Sequence, residues 1–180
     1  PSSVAVDSDG VIYVSDSSYQ LVRRIAPDGR VTTIAGQLGV SGFADGKGNA
    51  ARFNIPAGVA VDAQRNVYVA DRRNHLIRRI SPEGEVRRIA GQPREPGFRD
   101  GPDGVARLHE PTAVAVSEGG NQVYFADTVN NAIRRIEPDG SVVTIAGLRG
   151  RTGYRDGSGL ESMFNYPRGL AVDSEGNIFV

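Results

Sequence analysis

An aspartate and an arginine recur seven residues apart three times: Asp16 with Arg23, Asp71 with Arg78, and Asp127 with Arg134. A carboxylate and a guanidinium at fixed spacing can polarise a substrate or hold two strands together, because arginine pairs bidentately with carboxylates. Recurrence decides between these roles. What returns in every unit belongs to the frame, so the three couples are expected to be structural ion pairs. Asp45, Asp100 and Asp156, each followed by glycine, suggest calcium. A calcium loop needs several closely spaced oxygen ligands, however, and each of these loops brings only one or two carboxylates. The three aspartates are expected instead to cap the short turn that follows them. Gly46-Lys47-Gly48-Asn49-Ala50-Ala51 imitates a dinucleotide fingerprint, but neither the strand before it nor the crossover helix after it is present. This segment reads as a turn.

His75 and His109 are the only histidines, and cysteine is absent. Neither a G-x-S-x-G elbow nor an H-E-x-x-H pair occurs. No catalytic residue, metal ligand or cofactor is therefore expected within this chain. The 21 basic and 21 acidic residues balance to a net charge of 0, which gives no general attraction to phosphate backbones or anionic lipid. The loops expected on one face sum to only +1 over three repeats, so nucleic acid is disfavoured as a partner. No apolar run reaches the roughly 18 residues that a membrane span requires.

The elements that position these residues come from a repeat. "PSSVAVDSDGVIYVSD" from Pro1 returns at Pro56, Pro111 and Pro167, at spacings of 55, 55 and 56 residues. The repeats run over 1–55, 56–110 and 111–166, with a partial fourth over 167–180. Each full unit holds four short runs rich in β-branched residues, exemplified by Gly58–Val61, Val67–Ala70, Leu76–Ile80 and Val86–Gly91. We call them strands A to D. Pro27-Asp28-Gly29 and its counterparts Pro82-Glu83-Gly84 and Pro138-Asp139-Gly140 make the turns between C and D, proline setting φ and glycine taking positive φ. Four antiparallel strands per unit at this period indicate the blade of a β-propeller. The expected fold is all-β: an arc of three four-stranded blades plus the first two strands of a fourth, strand A innermost and strand D outermost. Such an arc leaves blade faces uncovered, so ring closure by missing blades, or by a second copy, is expected.

Asn74-His75-Leu76, followed by Ile77-Arg78-Arg79-Ile80, resembles the motif that names the NHL-repeat family. Its longer pattern, from the strand-A proline through N-x-x-I-R-x-I to P-D-G, runs in register through all three repeats. The connection Gly42–Pro56 resembles a form common in multi-repeat bacterial members. Two departures stand out: Ser18-Tyr19-Gln20 replaces the expected asparagine region in the first repeat, and Ser117 stands where Asp7, Asp62 and Asp173 stand elsewhere. The resemblance implies a propeller, most often six-bladed. It also implies a scaffold for protein or small-ligand binding and an extracellular or cell-surface location. Alternatives within the resemblance are a lyase or hydrolase whose catalytic residues lie in blades absent here and, third, an RNA-binding module.

Loops on a rigid frame carry recognition because they vary without disturbing packed strands. Two sets change chemically between repeats: the B–C loops and the early D–A connections. They yield Tyr19, Gln20, Arg72, Arg73, His75, Arg94, Arg149 and Arg151 as candidate binding residues. His75 shares its slot with Gln20 and Asn131 and is expected at the surface.

Overall fold

The computed structural model describes residues 1–180 apart from Glu118 and Arg149. The first sheet is β1 (Ser3–Val6), β2 (Ile12–Asp16), β3 (Leu21–Ile25) and β4 (Val31–Ala35), antiparallel in that order. The connection that follows contributes a two-residue strand, β5 (Gly46–Lys47). It then leads to the second sheet of β6 (Pro56–Val61), β7 (Val67–Asp71), β8 (Leu76–Ile80) and β9 (Glu85–Ala90). The third sheet comprises β10 (Ala113–Val116), β11 (Val123–Asp127), β12 (Ala132–Ile136) and β13 (Val142–Ala146). A final pair, β14 (Ala171–Val172) and β15 (Ile178–Phe179), makes the start of a fourth. The innermost strands β1, β6, β10 and β14 neighbour one another in sequence, so the sheets stand as blades around a common axis.

Alternating apolar residues on facing sheets form the packing between blades. Val22, Phe53, Val69 and Ile80 pack together between the first two sheets. Ile77, Leu108, Phe125 and Ile136 do so between the second and third. The D–A connections supply part of each layer: Phe53 and Leu108 are fully buried.

The connections do more than link blades. β5 pairs with β9, on the outer edge of the blade that follows it, and Gly101 bridges Val142 of β13 in the same way. Each connection thus runs along the outside of the next blade and covers its edge strand. The sequence pattern, read as four strands per unit, does not carry this fifth pairing, because two residues give no periodicity. Short 3-10 turns at Arg72–Asn74 and Thr128–Asn130 close the B–C loops, and the expected single turn near Gly48 is the 3-10 turn Gly48–Ala50.

One irregularity is conserved across the blades. The pairing of strands C and D shifts register between Val22 and Arg23, between Ile77 and Arg78, and between Ile133 and Arg134. A bulge re-aims the side chain beside it, here the arginine of each seven-residue couple. The glycine ending strand D fits the same corner. A Cβ on Gly36 or Gly91 would lie 2.3 Å from the carbonyl oxygen of Gln20 or His75, so only glycine lets the two strands approach there.

Candidate functional site

The couples are ion pairs of unequal quality. Arg78 Nη1 lies 2.9 Å from Asp71 Oδ2, and Arg134 Nη1 lies 2.7 Å from Asp127 Oδ2; all four side chains are fully buried. Asp71 also accepts bonds from the Asn74 side chain and the Asn54 backbone N–H, at 2.8 Å each. Asp127 accepts the corresponding bonds from Asn130 and His109. Burial pushes the Asp71 carboxyl up to about 6 against the opposing pull of Arg78, and it raises Asp127 against Arg134. In the first blade Arg23 stands 3.9 Å from Asp16 and is 42 % exposed.

The expectation that Asp45 and Asp100 cap the turns after them is corrected. The 3-10 turn following Asp45 has no side-chain cap. Asp45 reaches across instead to Arg78 Nη2 at 2.7 Å and accepts the backbone N–H of Arg88. Asp100 does the same with Arg134, at 2.7 Å, and Thr144. A carboxylate beside a buried guanidinium gains more from that charged donor than from a neutral turn N–H. The Arg78 guanidinium also donates to the carbonyls of Arg52 (3.0 Å) and Ala44 (2.7 Å), and it sits 5.0 and 5.1 Å from the rings of Phe43 and Phe53. Arg134 has the carbonyls of Arg107 and Arg99 and the rings of Phe98 and Phe125. Each arginine is therefore clamped by its own blade and by the connection preceding it.

The candidate binding residues divide into two groups. Gln20 and His75 turn inward: Gln20 accepts the N–H of Ile55 at 2.7 Å, and His75 Nδ1 accepts that of Glu110 at 3.1 Å. Asn131 accepts that of Tyr166. Ile55, Glu110 and Tyr166 all have φ near +50°, a strained conformation for a bulky residue, and the three acceptors hold it. His75 is thus a half-buried partner of the backbone rather than the surface residue expected from its changing slot. Its ring meets His109 edge-on at 5.5 Å. Burial, the neighbouring His109 and Arg73 lower its pKa, against Glu110.

Arg72 is also engaged. It places Nε and Nη2 on one Glu110 oxygen at 3.0 and 2.7 Å, while Arg73 meets the other at 3.0 Å. Burial alone would raise the Glu110 carboxyl, but Arg72 and Arg73 outweigh it and hold it low. In the positions equivalent to Arg72, Ser17 and Thr128 bond the carbonyls of Pro56 and Pro167 in the next blade. Tyr19, Arg73, Arg94 and Arg151 are exposed; Arg149 lies outside the described residues. The two variable loop sets meet: the Gly39 N–H donates to the Tyr19 carbonyl, and that of Arg94 to Asn74. Arg151 flanks Thr152, which bonds Asn131.

Missed by the sequence reading were Asp45 and Asp100 as second acids, and Ile55, Glu110 and Tyr166 as strained positions. A signal for the former existed, since an aspartate lies 33 or 34 residues before each buried arginine. Their partners, though, sit in a different repeat. Among the described residues no group of three or more histidines, cysteines or acids could hold a metal ion, and no helix is long and apolar enough to cross a membrane.

Residues 53–80 match the family model described as NHL repeat. NHL repeat-containing protein 2 of Bos taurus is 30 % identical over 153 residues, which cover 77 % of this chain and 21 % of that protein. Among solved structures, a Bacteroides thetaiotaomicron protein of unknown function superimposes with a TM-score of 0.79 at 28 % identity, over 98 % of this chain and 43 % of that one. An auxiliary nutrient binding protein of the same organism shares the fold, with a TM-score of 0.72 at 21 % identity over 96 % and 43 % of the two chains. The chain thus spans about a fifth of the curated relative and less than half of the solved chains. By its in-register motif, its four-stranded blades and these relatives, the chain belongs to the NHL-repeat β-propeller family.

Proposed function

We propose that the chain is a non-enzymatic propeller scaffold that binds a protein or small ligand through the face formed by its B–C loops and early D–A connections. The observation that carries this is the contrast between frame and face. The aspartate–arginine clamps and strained corners repeat, while exposed side chains of different chemistry, Tyr19, Arg73, Arg94 and Arg151, stand on loops that touch one another. Tyrosine and arginine are the residue types enriched where binding energy concentrates. The similarity in fold to an auxiliary nutrient binding protein agrees with a binding role.

The test is site-specific photocrosslinking in the organism's own extract. A photoreactive residue replaces Tyr19 on the proposed face or, as control, Asp28 in a C–D turn at the opposite ends of the strands. A discrete adduct from position 19 and none from position 28 is expected. Adducts from position 28 alone would reverse the assignment of the face.

A further inference from the structure

Between the second and third sheets, beside the turn Pro138–Gly140, lies a groove of about 480 Å³. It sits at the ends of the strands opposite the B–C loops. Ile89, Val123 and Ile136 form its apolar floor, and Tyr68 and Arg79 stand on the wall made by the second sheet. Tyr13, Arg24, Ile34 and Val67 line the equivalent groove between the first and second sheets. The two grooves differ in what faces the strand-C arginine. Arg24 faces Thr32 across β3 and β4, whereas Arg79 faces Arg87 across β8 and β9. In the third sheet Arg135 faces Val143. Directly opposed residues share one face of a sheet, with Cβ atoms about 5 Å apart, and like charges there are destabilising. Arg79 and Arg87 are both exposed. The acids around the groove are engaged by other groups: Asp103 holds Arg88 at 2.6 Å, Glu137 holds Arg135, and Asp139 accepts the N–H and hydroxyl of Ser141. Ser81 stands where the third blade has Glu137, so Arg79 lacks the acid that its counterpart Arg135 has. Among the described residues the opposed pair Arg79 and Arg87 has no acid partner.

We propose that this groove binds the phosphate monoester group of a small organic molecule. The phosphate lies between Arg79 and Arg87, and the organic part rests on Ile89, Val123 and Ile136. Two guanidinium forks need more acceptors than the two oxygens of a carboxylate, and a phosphate monoester presents three. Its charge, close to two at neutral pH, matches the two cations and relieves their mutual repulsion. An apolar floor with a few convergent polar groups is the usual make-up of a small-molecule site, and the volume lies in the usual range. A nucleic acid strand does not fit, since it needs cations along its whole course. In the neighbouring groove Thr32 faces Arg24 and Arg65 is bound to Asp9. The groove and the B–C loop face lie at opposite ends of the strands, so neither site depends on the other.

The experiment titrates phenyl phosphate into the isotopically labelled chain at neutral pH and low salt. Amide resonances of Arg79, Arg87 and Val123 should shift saturably, and those of Arg24 and Tyr19 should not. Arg87→Thr, which installs the residue of the first blade, should weaken binding roughly tenfold, as for loss of a charged hydrogen bond. Arg79→Gln should do the same. Both arginines are exposed, so these variants keep their fold. Arg87→Thr also relieves a like-charge contact and should unfold no earlier than the parent in phosphate-free buffer. Benzoate and phenyl sulfate, monoanions that carry the same ring, should bind more weakly than phenyl phosphate. Equal affinity for benzoate would remove the need for a third oxygen, and equal affinity for phenyl sulfate would reassign the groove to sulfate esters. Unchanged affinity in Arg87→Thr, or shifts centred on Arg24, would place the anion elsewhere. Each of these results overturns the proposal, as does the absence of a saturable shift up to the solubility limit of phenyl phosphate.

Discussion

The first blade and the second contain the same aspartate and arginine seven residues apart, and they hold them differently. Arg78 is fully buried, 2.9 Å from Asp71 and 2.7 Å from Asp45. Arg23 is 42 % exposed and 3.9 Å from Asp16; among the described residues Asp16 Oδ1 and Arg23 Nε are buried without a hydrogen-bond partner, and so is Arg78 Nε in the second blade, which leaves Asp16 Oδ1 as the difference. The sequence difference between the two strands C is small, Leu21-Val22-Arg23 against Leu76-Ile77-Arg78. What differs is the segment packed on the arginine. Arg78 receives Phe43, Asp45 and Phe53 from the preceding connection, and no described residue takes these places beside Arg23. The clamp is thus a property of two consecutive repeats and not of one. This is the nearest-neighbour coupling expected of a repeat protein.

The largest effect that can break this comparison is loss of a clamped arginine. Arg78→Ala leaves Asp71 buried without its counter-charge, and breaking a buried pair costs about 3–5 kcal/mol. Arg23→Ala removes a half-exposed, poorly aligned partner and should cost within about 1 kcal/mol. Urea unfolding of both variants checks the ratio, and equal losses would show that the connection adds nothing to the pair. Next in size is the second acid. Asp45→Asn keeps shape but removes a charge that is itself 44 % exposed, so solvent screening limits its cost to about 1 kcal/mol. Asp156→Asn, at an exposed carboxylate that meets no buried arginine among the described residues, should leave the unfolding midpoint unchanged.

The same two blades show what was legible in the sequence. The strands, the turns at Pro27-Asp28-Gly29 and its counterparts, and the frame role of Asp71 and Arg78 lie within one repeat, where β-branched runs and turn residues mark them. The pairing of Asp45 with Arg78 spans 33 residues and a repeat boundary, and a motif read repeat by repeat assigns that aspartate to the nearest turn instead. The variable slot of Gln20, His75 and Asn131 misled for a related reason. Their one shared feature, a side-chain acceptor, serves a strained backbone in the next repeat. Three unlike residues therefore do one job, which variation alone cannot reveal. Ser117 shows the opposite case: Tyr124 bonds Gln122 at 2.6 Å, where Tyr68 bonds Asp62, so a departure from the pattern is compensated by one substitution nearby.

His75 sharpens the comparison through pH. Its equivalents Gln20 and Asn131 do not titrate, whereas its Nδ1 must be unprotonated to accept the Glu110 N–H. Its folded-state pKa lies below the ordinary 6.5. The stability it contributes is therefore present above 6.5 and is lost as pH falls through the folded value. His109, Arg73 and Glu110 act on the ring, and protonation adds a cation beside that arginine while Glu110 partly offsets it. Unfolding followed between pH 7 and 5 should show a loss in the native chain that is smaller in His75→Gln, which supplies the acceptor used in the first blade. An identical pH profile for the two would place the titrating group elsewhere.

The smallest effect is expected where the frame ends and the proposed binding face begins. Tyr19, Arg73, Arg94 and Arg151 hold their loops through backbone N–H and C=O groups that alanine keeps, and exposed side-chain substitutions usually cost within about 0.5 kcal/mol. Arg73 touches Glu110 at 3.0 Å but is 52 % exposed, and Arg72 keeps that carboxylate paired after Arg73 is gone. The fourfold alanine variant should therefore retain the native far-ultraviolet spectrum and unfold within about 2 kcal/mol of the parent, taking the four as additive. That is less than Arg78→Ala alone. A partner captured at position 19 should bind the variant at least tenfold more weakly, because removal of anchor tyrosine and arginine side chains typically costs 2 kcal/mol or more at an interface, about thirtyfold in affinity. Loss of stability comparable to that of Arg78→Ala would merge these four residues with the frame and remove the division on which the binding face rests.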